Sequence, residues 1–292
     1  LAQGIGHLGI WAMRCSGSND SSSCKSTSNV PLWVVYFFLG TAVVEPLDAS
    51  QQPAQMTQDW WDLHYKTVFE TWNMSGDPRK PGGFGGAAGS LSGGLNEADL
   101  DAALLCVKQL LANRAGPHVQ QRRLPRILVL GCGLSPLIWS LTDQGYADVI
   151  CLEISQVLVD KLRNVAARGL RKQPRFLLSD IATVPHKWRT GRRHRFLMPR
   201  SVDLIVDENV IDGLACTFPP SAAASSVHRA LMGARWLMRP RGKLLTFSFV
   251  PLEGPPFRAA LADWARVTDA CIPAAGNEQH MQAWRVASPW LS

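Results

Sequence analysis

The sequence lacks the cysteine pairs that mark a disulfide framework or a zinc site. Its 292 residues include seven cysteines, at positions 15, 24, 106, 132, 151, 216 and 271, and none belongs to a C-x-x-C pair. Disulfide scaffolds and structural zinc sites usually show such spacings. We therefore expect reduced intracellular thiols, with Cys132 and Cys151 inside core elements, and no bound metal.

The sequence also lacks an apolar run of membrane-spanning length at its N-terminal end. The run at 30–44, VPLWVVYFFLGTAVV, falls short of the roughly 20 residues that a spanning helix needs. Its upstream flank is long, polar and only weakly basic, which fits a signal or anchor segment poorly. Residues 1–55 are therefore predicted to be an irregular or targeting extension. The expected location is cytoplasmic, with a mitochondrial or other targeted location as the alternative.

Acidic residues are missing from one strongly basic stretch. Residues 186–200 read HKWRTGRRHRFLMPR, in a chain whose net charge is +7. Together with Arg122, Arg123 and the 168–175 stretch, this segment could form a patch for nucleic acid or for an acidic protein. A solvated insertion without a partner is the alternative interpretation.

The organisation of the chain predicts an α/β fold. A Gly-rich linker at 81–94 is followed by Asn96, a candidate N-cap, and by an amphipathic helix over 97–114. No internal repeat is visible. From residue 126 onward, strands and helices alternate, which predicts a Rossmann-like, doubly wound, seven-stranded and mostly parallel sheet in one domain over 56–292, with its core at 126–250. The predicted strands are 126–130, 148–152, 175–178, 202–206, 243–249, 266–272 and 282–287, and the predicted helices are 136–144, 155–169, 221–238 and 257–266.

Residues 126–153, RILVLGCGLSPLIWSLTDQGYADVICLE, have the layout of a nucleotide-binding βαβ unit. A strand runs into the glycine turn at 131–133, a helix follows, and the second strand closes with Glu153, which can accept both hydroxyls of a ribose. A dinucleotide fingerprint needs a third glycine where this chain has Pro136, which has no N–H to donate to a pyrophosphate. Ser135 is a candidate cap for the helix, with Pro136 in its first turn. A cofactor with a ribose and no phosphate fits better, and S-adenosylmethionine is the common one.

Acids end three consecutive predicted strands. Glu153 ends the second, Asp180 follows the third, and Asp207 and Glu208 follow the fourth. Because the carboxyl ends of parallel strands form the ligand-binding edge of an open sheet, we expect these carboxylates at one rim. A cationic sulfonium cofactor suits an apolar cleft with an acidic rim.

These motifs carry a resemblance to a known family. The chain resembles class I, seven-stranded S-adenosylmethionine-dependent methyltransferases, and within them a eukaryotic methyltransferase-like group that includes the elongation factor 1-alpha and citrate synthase lysine methyltransferases. An upstream aromatic segment, Trp60-Trp61-Asp62-Leu63-His64-Tyr65, is similar to that group's Tyr-Trp-Asp-x-x-Tyr. The motifs that carry the resemblance are ILVLGCGLS (127–135), CLEIS (151–155), LLSD (177–180) and VDLIVDENVIDGL (202–214).

The resemblance implies a cofactor site and its parts. Gly131 and Gly133 would pass close to the methionine portion and Glu153 would hold the ribose. Asp180 would face the adenine amino group, with Ile181 against the ring. The full predicted cofactor-binding set is Trp61 and Tyr65, which would close the pocket, together with Gly131, Cys132, Gly133, Ser135, Glu153, Ile154, Asp180, Ile181 and Asp207.

The resemblance also implies a lysine side chain of a protein as the methyl acceptor. Asp207 is the first candidate for assisting the amine, with capping of the turn after the fourth strand as its alternative role. Glu208 is the second candidate, while Asp212 is expected to be merely solvated. Glu208 and Asn209 replace the group's Lys-Gly, which leaves the acceptor open. The chain lacks an Asn/Asp-Pro-Pro-Tyr/Phe segment after the fourth strand, which argues against methylation of adenine or of a glutamine amide. The alternatives are a nucleic-acid or small-molecule methyltransferase and a non-catalytic module with a methyltransferase fold.

Overall fold

A computed structural model describes most of the chain from residue 57 onward. The predicted extension at 1–55, the linker at 81–94 and the Asn96 cap lie outside the described residues, so the domain boundaries stay predictions. Within the described ranges, no helix is long and apolar enough to cross a membrane. The described residues are 57–71, 97–112, 124–168, 173–191, 196–215, 217, 220–249, 252, 257–271 and 280–287.

One mixed sheet of seven strands organises the molecule, in the spatial order β3-β2-β1-β4-β5-β7-β6. Strands β1 to β5 are mutually parallel, whereas β7 runs antiparallel to both β5 and β6. The prediction of a doubly wound, seven-stranded and mostly parallel sheet is confirmed. The strands are β1 (Arg126–Leu130), β2 (Asp148–Glu153), β3 (Arg175–Leu178), β4 (Val202–Glu208), β5 (Met238–Ser248), β6 (Trp264–Cys271) and β7 (His280–Val286).

Helices cover both faces of the sheet, and this double cover explains the nearly continuous apolar character of its central strands. One face packs against the first four helices through a core that includes Tyr65, Trp139 and Leu158. The other packs against α7 through a core that includes Val227 and Leu231. The helices are α1 (Gln58–Thr71), α2 (Glu97–Ala112), α3 (Leu137–Asp143), α4 (Gln156–Ala166), α5 (Val184–Arg189), α6 (Val210–Ala215), α7 (Pro220–Leu237) and α8 (Phe257–Ala260), with a 3₁₀ turn at Ile181–Thr183.

The predicted last helix and the predicted start of α3 differ from the structure. The helix predicted over 257–266 ends at Ala260, because Trp264 already pairs with Val286 in the sheet and lies buried. Pro136, predicted in the first turn of α3, is its N-cap residue instead. Ser135 still assists this helix end, because its Oγ accepts a hydrogen bond from the Leu137 amide at 3.2 Å.

The prediction of reduced thiols is wrong for one pair of cysteines. Cys132 and Cys151 form a disulfide, with their Cα atoms 6.1 Å apart. They meet because the chain turns back at Gly131, whose N–H donates to the carbonyl of Leu152 at 2.9 Å and so places the turn over β2. The sequence spacing gave no sign of this pair, since the contact depends on the register of two neighbouring strands.

Gly233 is the point of closest approach between α7 and the 3₁₀ turn. A Cβ atom at this position would overlap the backbone carbonyl of Ile181, which cannot yield as a flexible side chain would. We expect Gly233→Ala to lower the free energy of unfolding by about 1–3 kcal/mol, because this overlap outweighs the gain in helix propensity. Urea-induced unfolding measures the change.

The matched control for Gly233→Ala is Gly213→Ala. Gly213 is also helical, in α6, but no atom lies within 4 Å of the Cβ position. This control should leave the urea midpoint unchanged or raise it slightly. Equal midpoints for the two variants would show that the α7 contact is not tight.

Candidate functional site

The glycine turn after β1 forms the floor of the candidate site. Gly131 and Gly133 both adopt positive φ angles, 60° and 49°. This left-handed conformation is costly for residues that carry a Cβ atom. A Cβ at Gly131 would also overlap the side chain of Val210, at the start of α6. At its two glycines the turn therefore presents backbone without side chains at the carboxyl edge of the sheet. Cys132 and Ser135 lie in or next to the same turn.

Glu153 lies at the tip of β2, directly beside the glycine turn. Its Oε1 accepts hydrogen bonds from the amides of Ile154 at 2.8 Å and Ser155 at 3.1 Å. Burial raises the pKa of this carboxyl; backbone hydrogen bonds from Ser155, Ile154 and Gly133 oppose the rise, and the Asp62 carboxylate adds to it. The protein thus keeps a buried acid at the carboxyl edge without a basic partner among its described contacts.

Helix α1 closes this edge of the sheet from the N-terminal side. Tyr65 is buried, and burial followed by the charges of Glu153 and Glu208 raises the pKa of its hydroxyl well above the ordinary value. The Trp61 ring stacks on that of Tyr65, with 5.9 Å between centroids. The structure therefore brings Trp61 and Tyr65 together on α1, with Tyr65 near Glu153 and Glu208, and their role in closing a cofactor pocket stays a prediction.

Asp62 anchors α1, and it was missing from the predicted site. Its Oδ1 accepts a hydrogen bond from the Ser155 hydroxyl at 2.6 Å and another from the Val157 amide at 3.1 Å. Ser155 is the N-cap of α4, so the Asp62 charge also lies at the positive end of that helix. The Trp-Asp pair in the aromatic segment was the available signal, but only the fold shows which helix it contacts.

We expect Asp62→Ala to lower the free energy of unfolding by about 1–3 kcal/mol, because two donors at the start of α4 lose a charged acceptor. Thermal or urea unfolding measures the effect. Asp59→Ala is the matched control, since Asp59 is an exposed acid in the first turn of the same helix. The control should lose only a few tenths of a kcal/mol, and equal losses in both variants would refute the anchoring role.

Asp180 follows β3 at the same edge. Its Oδ1 accepts from the Ala182 amide at 2.8 Å and so caps the 3₁₀ turn. The side chain of the next residue, Ile181, is buried in the core beneath α7. The structure thus places Asp180 and Ile181 next to the tip of β2, where the Ser179 amide donates to the Glu153 carbonyl at 2.9 Å.

The two acids that end β4 lie on opposite faces of the sheet. Leu204 and Val206 belong to the core shared with α1 and Tyr65, whereas Ile205 belongs to the core beneath α7. Since side chains alternate along a strand, Glu208 lies on the α1 face and Asp207 on the α7 face. Only Glu208 therefore shares the face of Tyr65 and Glu153.

Asp207 is a capping residue. Its Oδ1 accepts from the amides of Val210 at 3.1 Å and Ile211 at 3.2 Å, at the start of α6. Its Oδ2 is buried and has no hydrogen-bond partner. Burial, followed by the nearby Asp212 carboxylate, raises its pKa well above the ordinary range. The first candidate for assisting the amine is thus engaged in holding the turn after β4.

Glu208, unlike Asp207, does not cap a helix, and one of its carboxyl oxygens can still accept a hydrogen bond or a proton. It is 7% exposed, and its Oε1 has no hydrogen-bond partner. Burial raises its pKa from 4.5 to about 8. A hydrogen bond with the Ser135 side chain lowers the pKa but does not cancel the effect of burial. With Tyr65 and Glu153 on the same face, Glu208 gives the carboxyl edge a second buried acid.

Asn209 and Asp212 are the remaining polar residues of the segment that follows β4. Asn209 adopts φ 61°, so it takes the left-handed conformation at the position where the resembling group has Gly. Asp212 is not solvated as predicted: it is 6% exposed, and its Oδ2 accepts from the Phe249 amide at 3.0 Å. Burial raises its pKa. At 209 the chain thus has a left-handed backbone conformation, which suits glycine as well, and at 208 it has a buried acid.

Comparisons with known proteins were made with the sequence and with the structure. No family model matches the sequence, and no curated protein matches it either. The structure is similar to a magnesium protoporphyrin IX methyltransferase from Synechocystis with bound S-adenosylhomocysteine, at 16% identity and a TM-score of 0.47, covering 79% of this chain and 98% of that one.

Two further crystal structures are similar at lower TM-scores. A TehB-like SAM-dependent methyltransferase from Corynebacterium glutamicum has 16% identity and a TM-score of 0.39, covering 65% of this chain and all 100% of that one. A glycopeptide N-methyltransferase in complex with S-adenosylhomocysteine has 12% identity and a TM-score of 0.43, covering 61% and 87%. At such low similarity, the case for a function depends on the site's own residues.

Proposed function

We propose that this protein is an S-adenosylmethionine-dependent methyltransferase that methylates a lysine side chain of a protein. The proposal depends mainly on one observation: the buried Glu153 carboxyl lies beside a turn whose two glycines have no side chains, and the buried Tyr65 hydroxyl lies near it. The turn admits a ligand close to the backbone, and the carboxylate suits ribose hydroxyls. Pro136 cannot donate to a pyrophosphate, so a dinucleotide fits the same turn less well.

The residues present fit a cationic cofactor. Glu153 and Glu208 are both buried acids with raised pKa values, which shows that each lacks a compensating positive charge. The Glu208 Oε1 atom has no hydrogen-bond partner. A sulfonium and an ammonium group would supply the missing charge and donors. When bound, S-adenosylmethionine would supply an electrophilic methyl group.

The chain's own residues would orient the acceptor and move its proton. Transfer of a methyl group is a direct displacement, so positioning contributes most of the catalysis. The acceptor nitrogen must be neutral to attack, and Glu208 would accept its proton at Oε1. Its pKa of about 8 is closer to that of an amine than an ordinary carboxyl pKa is. Asp207 would act as a positioning residue by holding the turn after β4.

The proposal of a lysine acceptor is supported by the resemblance of the segment 206–213 to that of the lysine methyltransferases. Asn209 adopts the left-handed conformation, which glycine also adopts readily. Tyr65 and Trp61 provide an aromatic wall, which suits an aliphatic chain ending in an amine. A nucleic-acid acceptor is the second candidate, favoured by a basic cleft on the other face of the molecule.

Incubation of the purified protein with a cell lysate and methyl-labelled S-adenosylmethionine tests the proposal. We expect label that survives nuclease, is lost on protease treatment and appears as methyl-lysine after hydrolysis. Glu153→Ala serves as the inactive control. Label that is lost on nuclease treatment would overturn the lysine acceptor, and no transfer to any lysate fraction would overturn the enzymatic role.

A further inference from the structure

A second concave site lies on the α7 face of the sheet. It is a cleft of about 620 Å³ between α5, the 199–200 loop and α7. The acids of the proposed methyl-transfer site, Glu153 and Glu208, lie on the opposite face with α1. The cleft is therefore a separate surface. Its lining residues are Ala182, Pro185, His186, Arg189, Pro199, Arg200, His228, Arg229, Met232, Arg235 and Trp236.

The charges of this cleft have one sign. Four arginines and two histidines line it, and none of the described lining residues is acidic. Arg235 is neutralised by Asp263, with Nη1 and Oδ2 2.5 Å apart. In the described part of the chain, no carboxylate pairs with Arg189, Arg200 or Arg229. Among the described residues, three guanidinium groups thus line one cleft without a carboxylate partner.

The backbone holds one of these arginines in an unusual conformation. Arg200 adopts φ 51°, in the left-handed region that is costly for a residue with a side chain. Its N–H donates to the Trp236 carbonyl at 3.0 Å, and the next amide, Ser201, donates to Leu237 at 2.8 Å. The end of α7 therefore fixes the loop that carries Arg200 at the rim of the cleft.

The indole ring of Trp236 also lines the cleft. It packs edge-on against Trp188 of α5, with 5.7 Å between ring centroids and 64° between planes. This packing holds the Trp236 ring in place, half-buried, beside the arginines. A fixed aromatic ring next to unpaired guanidinium groups is the combination that binds a base and its neighbouring phosphates.

We propose that this cleft binds a single-stranded segment of nucleic acid, with phosphates on Arg189, Arg200 and Arg229 and a base against Trp236. Among the described lining residues the cations are arginines and histidines, with no lysine. The planar guanidinium group matches phosphate oxygens two at a time. An acidic peptide would satisfy the charge but not the aromatic wall. His186, Arg189 and Arg200 of the basic stretch thus line the same cleft as residues of α7 that the sequence did not connect to them.

Fluorescence anisotropy with a short labelled single-stranded RNA, over a series of salt concentrations, tests this proposal. The triple variant Arg189→Gln/Arg200→Gln/Arg229→Gln should bind at least about tenfold more weakly than the unmodified protein. Its slope of log affinity against log salt should be smaller by about 2, since each phosphate contact on a single strand contributes about 0.7.

The control removes the same charge from other surfaces. Lys66→Gln/Lys108→Gln/Arg285→Gln takes three exposed cations from α1, α2 and β7 and should leave the slope nearly unchanged. Trp236→Phe should keep part of the RNA affinity, and Trp236→Ala should lose it. Cofactor affinity and melting temperature, measured on every variant, show that the fold is intact and separate this test from that of the methyltransferase proposal.

Two results would overturn the nucleic-acid assignment. Equal RNA affinities and salt slopes for the two triple variants would mean that the cleft is not the binding surface. Displacement of the RNA by polyglutamate at equal charge concentration would mean that an acidic protein is the partner.

Discussion

Glu153→Ala is expected to weaken the binding of S-adenosylmethionine by about 30- to 150-fold. This factor corresponds to the roughly 2–3 kcal/mol that hydrogen bonds to a charged group contribute. The Glu153 carboxylate is buried at the tip of β2, and its Oε1 is already oriented by the amides of Ile154 and Ser155. The ligand therefore meets an acceptor whose position is fixed. Isothermal titration calorimetry measures the change.

The stability of the same variant separates a binding role from a structural one. Because burial raises the pKa of Glu153, its charge opposes folding. Removal of this charge offsets the loss of the Ile154 and Ser155 amide hydrogen bonds, so the melting temperature of the ligand-free protein should change little. Asp143→Ala is the charge-matched control, since Asp143 is an exposed acid at the end of α3. Unchanged affinity in Glu153→Ala would show that the ribose is not held there.

Glu208→Gln is expected to lower kcat/KM by about 10²- to 10⁴-fold and to remove one limb of the pH profile. A general base contributes on this order. With a pKa of about 8, Glu208 is mostly protonated at neutral pH, so the rate of the unmodified protein should rise as the pH increases through about 8. The Gln variant keeps the side-chain shape but cannot accept the proton. If the rising limb persists in this variant, the base is another group.

The pH dependence of stability gives a readout for Glu208 that is independent of catalysis. The folded-state pKa, about 8, lies above the ordinary 4.5. Between these values the unfolded chain releases the Glu208 proton and the folded one keeps it, so stability contributed by protonated Glu208 falls as the pH rises from about 4.5 to about 8. Unfolding of ligand-free Glu208→Gln should therefore be less sensitive to pH in this window. Glu70→Gln, at an exposed position of α1, is the control.

Much of the fold could be predicted from the sequence, because both its strands and its turns have local signals. The apolar runs of β1, β2 and β4 are buried on both faces, and the glycines at 131 and 133 adopt the positive φ angles for which glycine is suited. Predicted and observed strands agree within a few residues over most of the sheet. The prediction of a long last helix was wrong because β6 is specified by its partner β7, far along the chain.

The parts of the site that were not predictable depend on register and on which face a side chain occupies. Asp207 and Glu208 are neighbours in sequence, yet one caps α6 and the other faces Tyr65. The sequence therefore named both acids as candidates but gave no basis for telling their structural positions apart. Asp212 is similar, since its contact with the Phe249 amide joins segments that are distant in the chain.

A third group of features comes from surfaces that assemble from separate segments. Arg189 and Arg229 belong to different helices and approach each other only because α5 and α7 pack on the same face. The disulfide between Cys132 and Cys151 likewise joins a turn to a neighbouring strand. In both cases the residue types were visible in the sequence, and their proximity was not.

The central claim is that the glycine turn and Glu153 form a site for S-adenosylmethionine rather than for a dinucleotide. Calorimetric titration of the unmodified protein tests this most directly. We predict one-to-one binding of S-adenosylmethionine, competition by S-adenosylhomocysteine, and no competition by NAD. Binding of NAD at this site, or no heat of binding with either sulfur-containing ligand, would contradict the account.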